Sequence, residues 1–258
     1  MLTFALIMLT CYGGDATPLM RAHAHNDYEH PRPLLDALEH GYCSVEADIF
    51  LRDGQLLVGH NAKDLKVDRT LESLYLKPLK TRISSMNGNV YSVPQRFFLF
   101  IDIKTDAVAT YSVLHQLLMK YAVILTEVKD GIVTQRAVTV VLSGNRPSLD
   151  ALGTQSPRFA AYDGRLSDLD STVPKHLMPI ISDNWASKIG WGGSVEMTAA
   201  TRDKLKQIVS KSHQQGRLVR FWATPEKESV WKVLLENDVD LINTDRLSAL
   251  QQFLLKQK

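Results

Sequence analysis

The chain lacks several features that mark specialised classes of protein. Its two cysteines, Cys11 and Cys43, cannot build a disulfide framework, and without a CxxC pair or a Cys/His cluster a zinc–thiolate site is excluded. There is no long basic run, and 30 Lys+Arg against 28 Asp+Glu give a net charge of +2, so a nucleic-acid-binding platform is not expected. A composition of 45% hydrophobic and 22% charged residues also excludes disordered, collagen-like and multi-span membrane proteins.

The N-terminus has the pattern of an export signal. The run Leu2–Leu9 is apolar apart from Thr3, and it is far shorter than the roughly 20 residues that cross a bilayer. Gly14-Asp15-Ala16 provides a small-residue cleavage site. We therefore predict that residues 1–16 are a signal peptide and that the protein is exported, whether periplasmic, secreted or anchored by a lipid on Cys11. If the run is not a signal, we expect a cytoplasmic protein.

Residues 17–258 are predicted to form one domain, because a single (β/α)₈ barrel uses about 250 residues. Eight apolar, β-branched runs are predicted strands, the second of them extended after a turn by Leu56–Val58: Met20–His25, Cys43–Phe50, Phe97–Ile103, Ala137–Leu142, Phe159–Tyr162, Met178–Ile181, Leu218–Trp222 and Leu241–Asn243. Helical patterns lie at Pro33–His40, Asp106–Lys120, Thr198–Gln215, Pro225–Glu236 and Leu247–Leu255. This alternation predicts a parallel sheet with right-handed crossovers, and eight units favour a TIM barrel over an open doubly wound sheet.

Residues 61–96 are the least regular part of the chain. We interpret them as a segment inserted over the mouth of the barrel. Within it, Leu74-Tyr75-Leu76 is a candidate for peripheral contact with a membrane, and the alternative is that these residues belong to the core of a helix.

Three acidic residues are predicted to meet at the ends of neighbouring strands. Glu46 and Asp48 are two apart on one strand, so both side chains point to the same face, which is the interior in a barrel. Asp102 closes the next predicted strand. Carboxylates this close together repel unless a cation neutralises them. Three oxygen ligands without sulfur suit Mg²⁺ or Ca²⁺, so we predict a site for one such ion.

Two histidines flank these acids. His25 closes the first predicted strand, and His60 follows the extension of the second. Histidine titrates near neutral pH, so one ring can accept a proton while the other donates one. Lys104 shares a face with Asp102, and it either binds a phosphate oxygen as a point charge or balances the acids as an ion pair.

These residues belong to a longer pattern that covers about residues 20–250. It consists of His25-Asn26-Asp27-Tyr28, Gly41 to Ile49 with Glu46-Ala47-Asp48 inside it, Gly59-His60, Phe98 to Lys104, and Leu241 to Asp245. The pattern resembles the glycerophosphodiester phosphodiesterase and phosphatidylinositol-phospholipase-C-like superfamily. Within that superfamily it is most similar to the branch named after altered inheritance of mitochondria protein 6.

The resemblance implies a TIM barrel of the phospholipase-C-like phosphodiesterase type. It implies two catalytic histidines, three metal-binding acids and one phosphate-contacting lysine: His25 and His60, Glu46, Asp48 and Asp102, and Lys104. Trp222 matches a late aromatic residue of the spider-venom sphingomyelinase D relatives, and with Asn26 it is a candidate substrate-binding residue. Asn26-Asp27 stands where glycerophosphodiesterases usually have Arg-Gly, so the resemblance implies phosphodiester chemistry and leaves the headgroup open.

We therefore predict a monomeric phosphoric diester hydrolase that depends on one Mg²⁺ or Ca²⁺. Its substrate would be a glycerophosphodiester or a phospholipid-type diester, with His25 as the base and His60 as the acid. Two alternatives stay open. His23-Ala24-His25 also resembles the start of a zinc-dependent amidohydrolase, and the same barrel could be an inactive, exported binding module.

Overall fold

The computed structural model of the protein describes residues 16–257 as a barrel surrounded by helices. Its strands are β1 (Leu19–Ala24), β2 (Tyr42–Arg52), β3 (Gln55–Val58), β4 (Phe97–Ile103), β5 (Glu127–Lys129), β6 (Ile132–Thr134), β7 (Val138–Gly144), β8 (Ala160–Gly164), β9 (Ile180–Asn184), β10 (Leu218–Trp222) and β11 (Leu241–Thr244). Its helices are α1 (Leu35–Glu39), α2 (Lys77–Ser85), α3 (Ala107–Met119), α4 (Leu149–Gly153), α5 (Trp185–Lys188), α6 (Ala199–Gln214), α7 (Glu228–Glu236) and α8 (Leu247–Leu255). A π-helical turn, Glu72–Leu76, leads directly into α2.

Eight parallel strands close the barrel. Their order is β1, β2, β4, β7, β8, β9, β10 and β11, and β1 pairs with both β2 and β11. The predicted (β/α)₈ TIM barrel is therefore confirmed. The predicted extension of the second strand is the short antiparallel strand β3, which places Val58 opposite Ile49 and so forms a hairpin with the upper end of β2.

The alternation of side chains along each strand separates an inner from an outer core. On β2, Val45, Ala47 and Ile49 are fully buried in the large core that the barrel shares with its helices. A smaller cluster fills the barrel near the starts and middles of the strands: Phe98, Phe100, Val141, Ile180 and Leu241, with Leu218 packed against them. The lower half of the barrel is therefore mainly apolar, and the ionisable inward-facing residues, such as Glu46, Asp102 and Arg220, lie at its middle and upper levels.

Part of the prediction for residues 61–96 is wrong. Residues 61–69 do form a loop near the mouth, but the following segment packs into the core shared by barrel and helices through Leu71, Tyr75, Leu79 and Ile83. Tyr75 and Leu76 are completely buried, so Leu74-Tyr75-Leu76 does not present a surface for a membrane. The reason is that these residues supply the crossover between β2 and β4, and every crossover of a TIM barrel must cover the outside of its strands.

Two further predictions concern the N-terminus and the membrane. The predicted signal peptide and Cys11 lie outside the described residues, apart from Ala16. In residues 16–257 no helix has both the length and the apolar character needed to cross a membrane.

Gly41 fixes the point where the chain turns from α1 into β2. Its φ is +81°, and a Cβ there would overlap the carbonyl oxygen of Thr17. Gly54 also has a positive φ, +75°, but no atom lies within 4 Å of the space that its Cβ would fill. The two glycines therefore carry the same backbone strain in different packing.

We expect Gly41→Ala to lower the free energy of unfolding more than Gly54→Ala does. Gly54→Ala, the matched control, carries only the backbone penalty of about 1 kcal/mol. Gly41→Ala adds displacement of packed backbone, at about 1–3 kcal/mol. Urea unfolding followed by circular dichroism measures both, and equal losses would contradict the packing described here.

Candidate active site

Three carboxylates meet inside the upper end of the barrel. Glu46 and Asp48 project inward from β2, Asp102 projects from β4, and Asp48 and Asp102 stand side by side in the register of the two strands. One oxygen of each residue lies within 4.8 Å of the others. Glu46 and Asp48 are buried, and Asp102 is half-buried. The structure thus brings together the three residues that the sequence indicates as metal ligands.

The state of Asp48 shows that this cluster fits a cation. Its Oδ1 is buried and receives no hydrogen bond from any residue in the described part of the chain. Burial and the negative charge of Glu46 raise the pKa of Asp48 to about 6, although Lys104 acts in the opposite direction. Crowded carboxylate oxygens are the donors that Mg²⁺ and Ca²⁺ prefer. The residues present therefore fit a hard divalent ion.

Lys104 lies between two of the acids. Its Nζ is 3.0 Å from Asp48 Oδ2 and 3.0 Å from Asp102 Oδ1. Burial lowers the pKa of Lys104, but the two carboxylates outweigh this effect and raise it, so the ammonium group is charged at neutral pH. About 28% of its side chain is exposed. Lys104 is therefore an ion-pair partner of the acids that can also reach a ligand at the mouth.

Arg220 holds Glu46 from below and also contacts His23. Arg220 Nη1 donates to Glu46 Oε2 at 2.6 Å and lies 2.7 Å from His23 Nε2. Burial opposes the ionisation of Glu46, but the charge of Arg220 keeps its pKa well below the usual range. Burial and the charge of Arg220 lower the pKa of His23 to about 4. His23 is therefore neutral, with Nδ1 donating to Ser44 at 2.7 Å and Nε2 accepting from Arg220.

His25 is held at the rim by Asp245. Its Nδ1 donates to Asp245 Oδ1 at 2.8 Å, and about 31% of its side chain is exposed. Burial lowers the pKa of His25, but the hydrogen bond to Asp245 and the charges of Glu46 and Asp245 raise it on balance. Asn26 supports the pair, because its Nδ2 donates to Asp245 Oδ1 at 3.4 Å.

His60 is held by Tyr28. The Tyr28 Oη lies 3.1 Å from His60 Nδ1, 2.7 Å from Asp48 Oδ2 and 2.7 Å from Asn26 Oδ1. The hydroxyl has one proton, which goes to a carboxylate or amide oxygen, so toward His60 it is the acceptor and Nδ1 is the donor. His60 is about half-exposed. Asn26 and Tyr28 thus connect the surroundings of the two histidines.

Trp222 lies on the opposite side of the mouth. It ends β10 and is half-buried, and the guanidinium of Arg165 stacks on its ring at 4.8 Å. Arg165 in turn donates to Asp163 at 2.8 Å and approaches Ser143 Oγ at 3.4 Å. Ser143 is the register neighbour of Asp102 on β7, so this Arg–Trp stack borders the acidic cluster.

Sequence reasoning missed the partners that orient the predicted residues. These are His23, Tyr28, Arg165 and Arg220, together with Asp245, for which the sequence indicates only a place in the last-strand motif. Two of them had a usable signal. His23 is two residues before His25 and Arg220 two before Trp222, so period-2 alternation places both inside the barrel. Nothing in the sequence indicates that Tyr28 reaches His60 or that Arg165 stacks on Trp222.

The fold and the site together define a class of protein. A closed parallel barrel with an acidic cluster and two histidines at the C-terminal ends of its strands is a TIM barrel of the phospholipase-C-like phosphodiesterase type. The model of the AIM6-like phosphodiesterase domain matches residues 12–163, more than half of the chain. The chain belongs to this family.

Curated relatives agree with this assignment. Altered inheritance of mitochondria protein 6 of Eremothecium gossypii is 30% identical over 93% of this chain and 70% of the relative. The protein of the same name from Saccharomyces cerevisiae is 31% identical over 90% of this chain and 70% of the relative.

Solved structures with the same fold include two bacterial enzymes. A glycerophosphodiester phosphodiesterase from Parabacteroides distasonis has a TM-score of 0.59 at 16% identity, over 95% of this chain and 99% of that one. A calcium-dependent phosphoinositol-specific phospholipase C from a Pseudomonas species has a TM-score of 0.57 at 12% identity, over 92% of this chain and 90% of that one. At these identities the likeness shows the fold alone.

We expect Asp245→Asn to lower the pKa of His25. The variant removes the charge and weakens the hydrogen bond that raise this pKa, while the burial that lowers it remains. A titration of the His25 ring by NMR measures the change. Asp238→Asn is the matched control, because Asp238 is an exposed acid that pairs with Arg21. An unchanged His25 titration in Asp245→Asn would show that the pair does not control its proton.

Proposed function

We propose that the protein is a metal-dependent phosphodiesterase that cleaves a glycerophosphodiester or phospholipid-type substrate at the mouth of the barrel. One observation carries this proposal. Two histidines whose Nδ1 atoms are fixed by Asp245 and Tyr28 flank a carboxylate cluster that has an unsatisfied buried oxygen. Within residues 16–257, no hydrogen bond is made to the Nε2 atom of either ring, so both are available to a substrate.

Glu46, Asp48 and Asp102 would hold one Mg²⁺ or Ca²⁺. A bound divalent cation supplies positive charge that attracts a phosphate oxygen and offsets the charge that develops on it during cleavage. Arg220 already occupies Glu46 Oε2, so Glu46 would use its other oxygen. The choice between the two ions depends on the space that the cluster leaves, because Mg²⁺ demands a tighter, more regular set of ligands.

The two histidines would divide the proton transfers. We assign His25 as the base: its Nε2 takes the proton of the attacking water or substrate hydroxyl, and Asp245 stabilises the imidazolium that forms. We assign His60 as the acid: its protonated ring donates to Tyr28 through Nδ1 and to the leaving oxygen through Nε2. If a hydroxyl of the substrate itself attacks, a cyclic phosphate forms and the two roles exchange in its hydrolysis.

The remaining candidate residues would bind and orient the substrate. Lys104 can share the charge of the phosphate, since its ammonium is protonated and partly exposed at the mouth. Trp222, with Arg165 stacked on it, can form a wall of the substrate site. The amide of Asn26 is engaged with Asp245 and Tyr28, so we assign it to holding these partners of the two histidines, in addition to any contact with substrate.

We expect the wild-type protein to cleave at least one diester in a metal-dependent reaction. In His60→Ala, the rate of this cleavage should fall about 10²- to 10⁴-fold, which is the usual contribution of a general acid or base. ³¹P NMR with glycerophosphodiesters, lysophospholipids, sphingomyelin and an aryl diester, in Mg²⁺, Ca²⁺ or chelator, measures this. A cyclic phosphate signal would identify intramolecular attack.

His213→Gln is the matched control for the histidine variant. His213 lies on α6, where it pairs with Asp240 away from the mouth. Near-normal activity in a folded His60→Ala variant would contradict the assignment of His60 as the acid. If the folded wild-type protein binds metal but cleaves none of these diesters, the alternative of an inactive binding module would be favoured.

We expect Mg²⁺ or Ca²⁺ to raise the melting temperature of the wild-type protein. An ion at a hundredfold its Kd stabilises the fold by about 2.7 kcal/mol, which corresponds to roughly 5–10 °C for a domain of this size. Asp102→Asn should lose most of this shift, whereas Asp150→Asn, which changes an exposed acid in the first turn of α4, should keep it. Differential scanning calorimetry against EDTA measures the shift, and an equal response in both variants would place the ion elsewhere.

A further inference from the structure

A groove opens beside His60 on the outer side of the mouth. It has a volume of about 550 Å³ and follows the loop after β3. We call it the basic groove, because three cationic side chains of this loop line it: Lys63, Lys66 and Arg69. Two residues of the candidate site, Tyr28 and His60, also line it. Its volume lies within the range of small-molecule sites, about 300–1,000 Å³.

The three cationic side chains of this groove form no ion pairs within residues 16–257. Lys63 and Lys66 are exposed, and within residues 16–257 neither forms an ion pair or a side-chain hydrogen bond. Arg69 donates to the backbone oxygen of Tyr28 at 2.5 Å, and no described carboxylate pairs with it. Unpaired cations grouped in one concavity attract an anionic ligand.

Two acids also line the groove but do not cancel this charge. Asp64 accepts a hydrogen bond from Asn61 Nδ2 at 3.0 Å, and Glu29 is exposed at the edge. Three cationic side chains therefore stand against two acidic ones. A ligand with a cationic group would meet the lysines unfavourably.

The groove is continuous with the acidic cluster. Tyr28 forms part of its wall, and the hydroxyl of the same residue lies 2.7 Å from Asp48 Oδ2 and 3.1 Å from His60 Nδ1. A phosphodiester has two substituents on phosphorus. With the phosphorus at the cluster, a substituent that extends past His60 would enter the groove.

We propose that the basic groove binds a second anionic phosphate of the substrate. The inference rests on the proposed phosphodiesterase function and narrows its substrate class to diesters in which one substituent carries a phosphomonoester. Lysines suit this task, because an ammonium group on a flexible stem binds phosphate oxygens as a point charge without requiring one fixed geometry.

The test compares two chromogenic diesters, methyl p-nitrophenyl phosphate and the analogue in which a 2-phosphooxyethyl group replaces methyl. In Lys63→Gln/Lys66→Gln, kcat/KM for the phosphorylated diester should fall at least about fivefold, the effect of losing two exposed charge contacts. The value for the methyl diester should not change. The control Lys206→Gln/Lys256→Gln removes the same charge from exposed lysines on α6 and after α8, and should affect neither substrate.

Equal effects on both diesters, or none, would overturn the proposal. If the wild-type protein cleaves neither diester, the proposed function fails in this assay. A titration with inorganic phosphate in EDTA then tests separately whether the groove binds phosphate. Phosphate should then shift the backbone NMR signals of Lys63, Lys66 and Arg69 in the wild-type and control proteins but not in the groove variant. No shift in the wild-type protein, or equal shifts in the groove variant, would show that these lysines do not bind phosphate.

Discussion

The ion pair between Arg220 and Glu46 is the interaction on which the arrangement of this site depends. It is buried inside the barrel, where an isolated charge is costly, and removing one partner of such a pair typically destabilises a protein by about 3–5 kcal/mol. Arg220 keeps Glu46 ionised from below, and its guanidinium packs over Phe100 at 4.4 Å, where the apolar lower core begins. Lys104 favours the ionised forms of Asp48 and Asp102 from above, although burial still raises the pKa of both. The carboxylates are held between two cations, which lets three acids share one end of a barrel.

Much of this arrangement follows from a local rule that can be applied to the sequence alone. Side chains two apart on a strand share a face, so Glu46 with Asp48 predicts a pair of inward acids, and a parallel neighbour ending in Asp102 adds the third. The fold was predictable for a related reason. Eight apolar runs separated by helical patterns leave few alternatives to a closed barrel at this length, and the strands β4 and β10 begin and end where the pattern indicates.

The parts that could not be predicted depend on residues far apart in the chain. His25 and Asp245 meet only because β1 pairs with β11 and closes the barrel. Arg220 meets Glu46 across the interior, a contact that requires the barrel to be both closed and narrow. The crossover segment from Leu71 through α2 is hard to predict for a different reason: basic residues on its exposed face interrupt its leucines, so this buried amphipathic segment has the sequence pattern of an irregular insertion. Periodicity identifies a face, but only the neighbouring elements determine what covers it.

The Nδ1 hydrogen bonds of the two histidines go to chemically different partners, and this asymmetry is consistent with their proposed roles, although Asp48 Oδ2 also lies 3.5 Å from His60 Nδ1. Asp245 is a carboxylate, so it favours the protonated form of His25 and would stabilise the positive charge that a base acquires when it takes a proton. Tyr28 offers His60 a neutral oxygen that accepts a hydrogen bond from Nδ1 in either protonation state. His60 can therefore lose its other proton without breaking the contact that orients it. Both rings keep their Nδ1 hydrogen bond when Nε2 gains or loses a proton, and the negative charge of Asp245 beside His25 suits the ring that becomes cationic as the base.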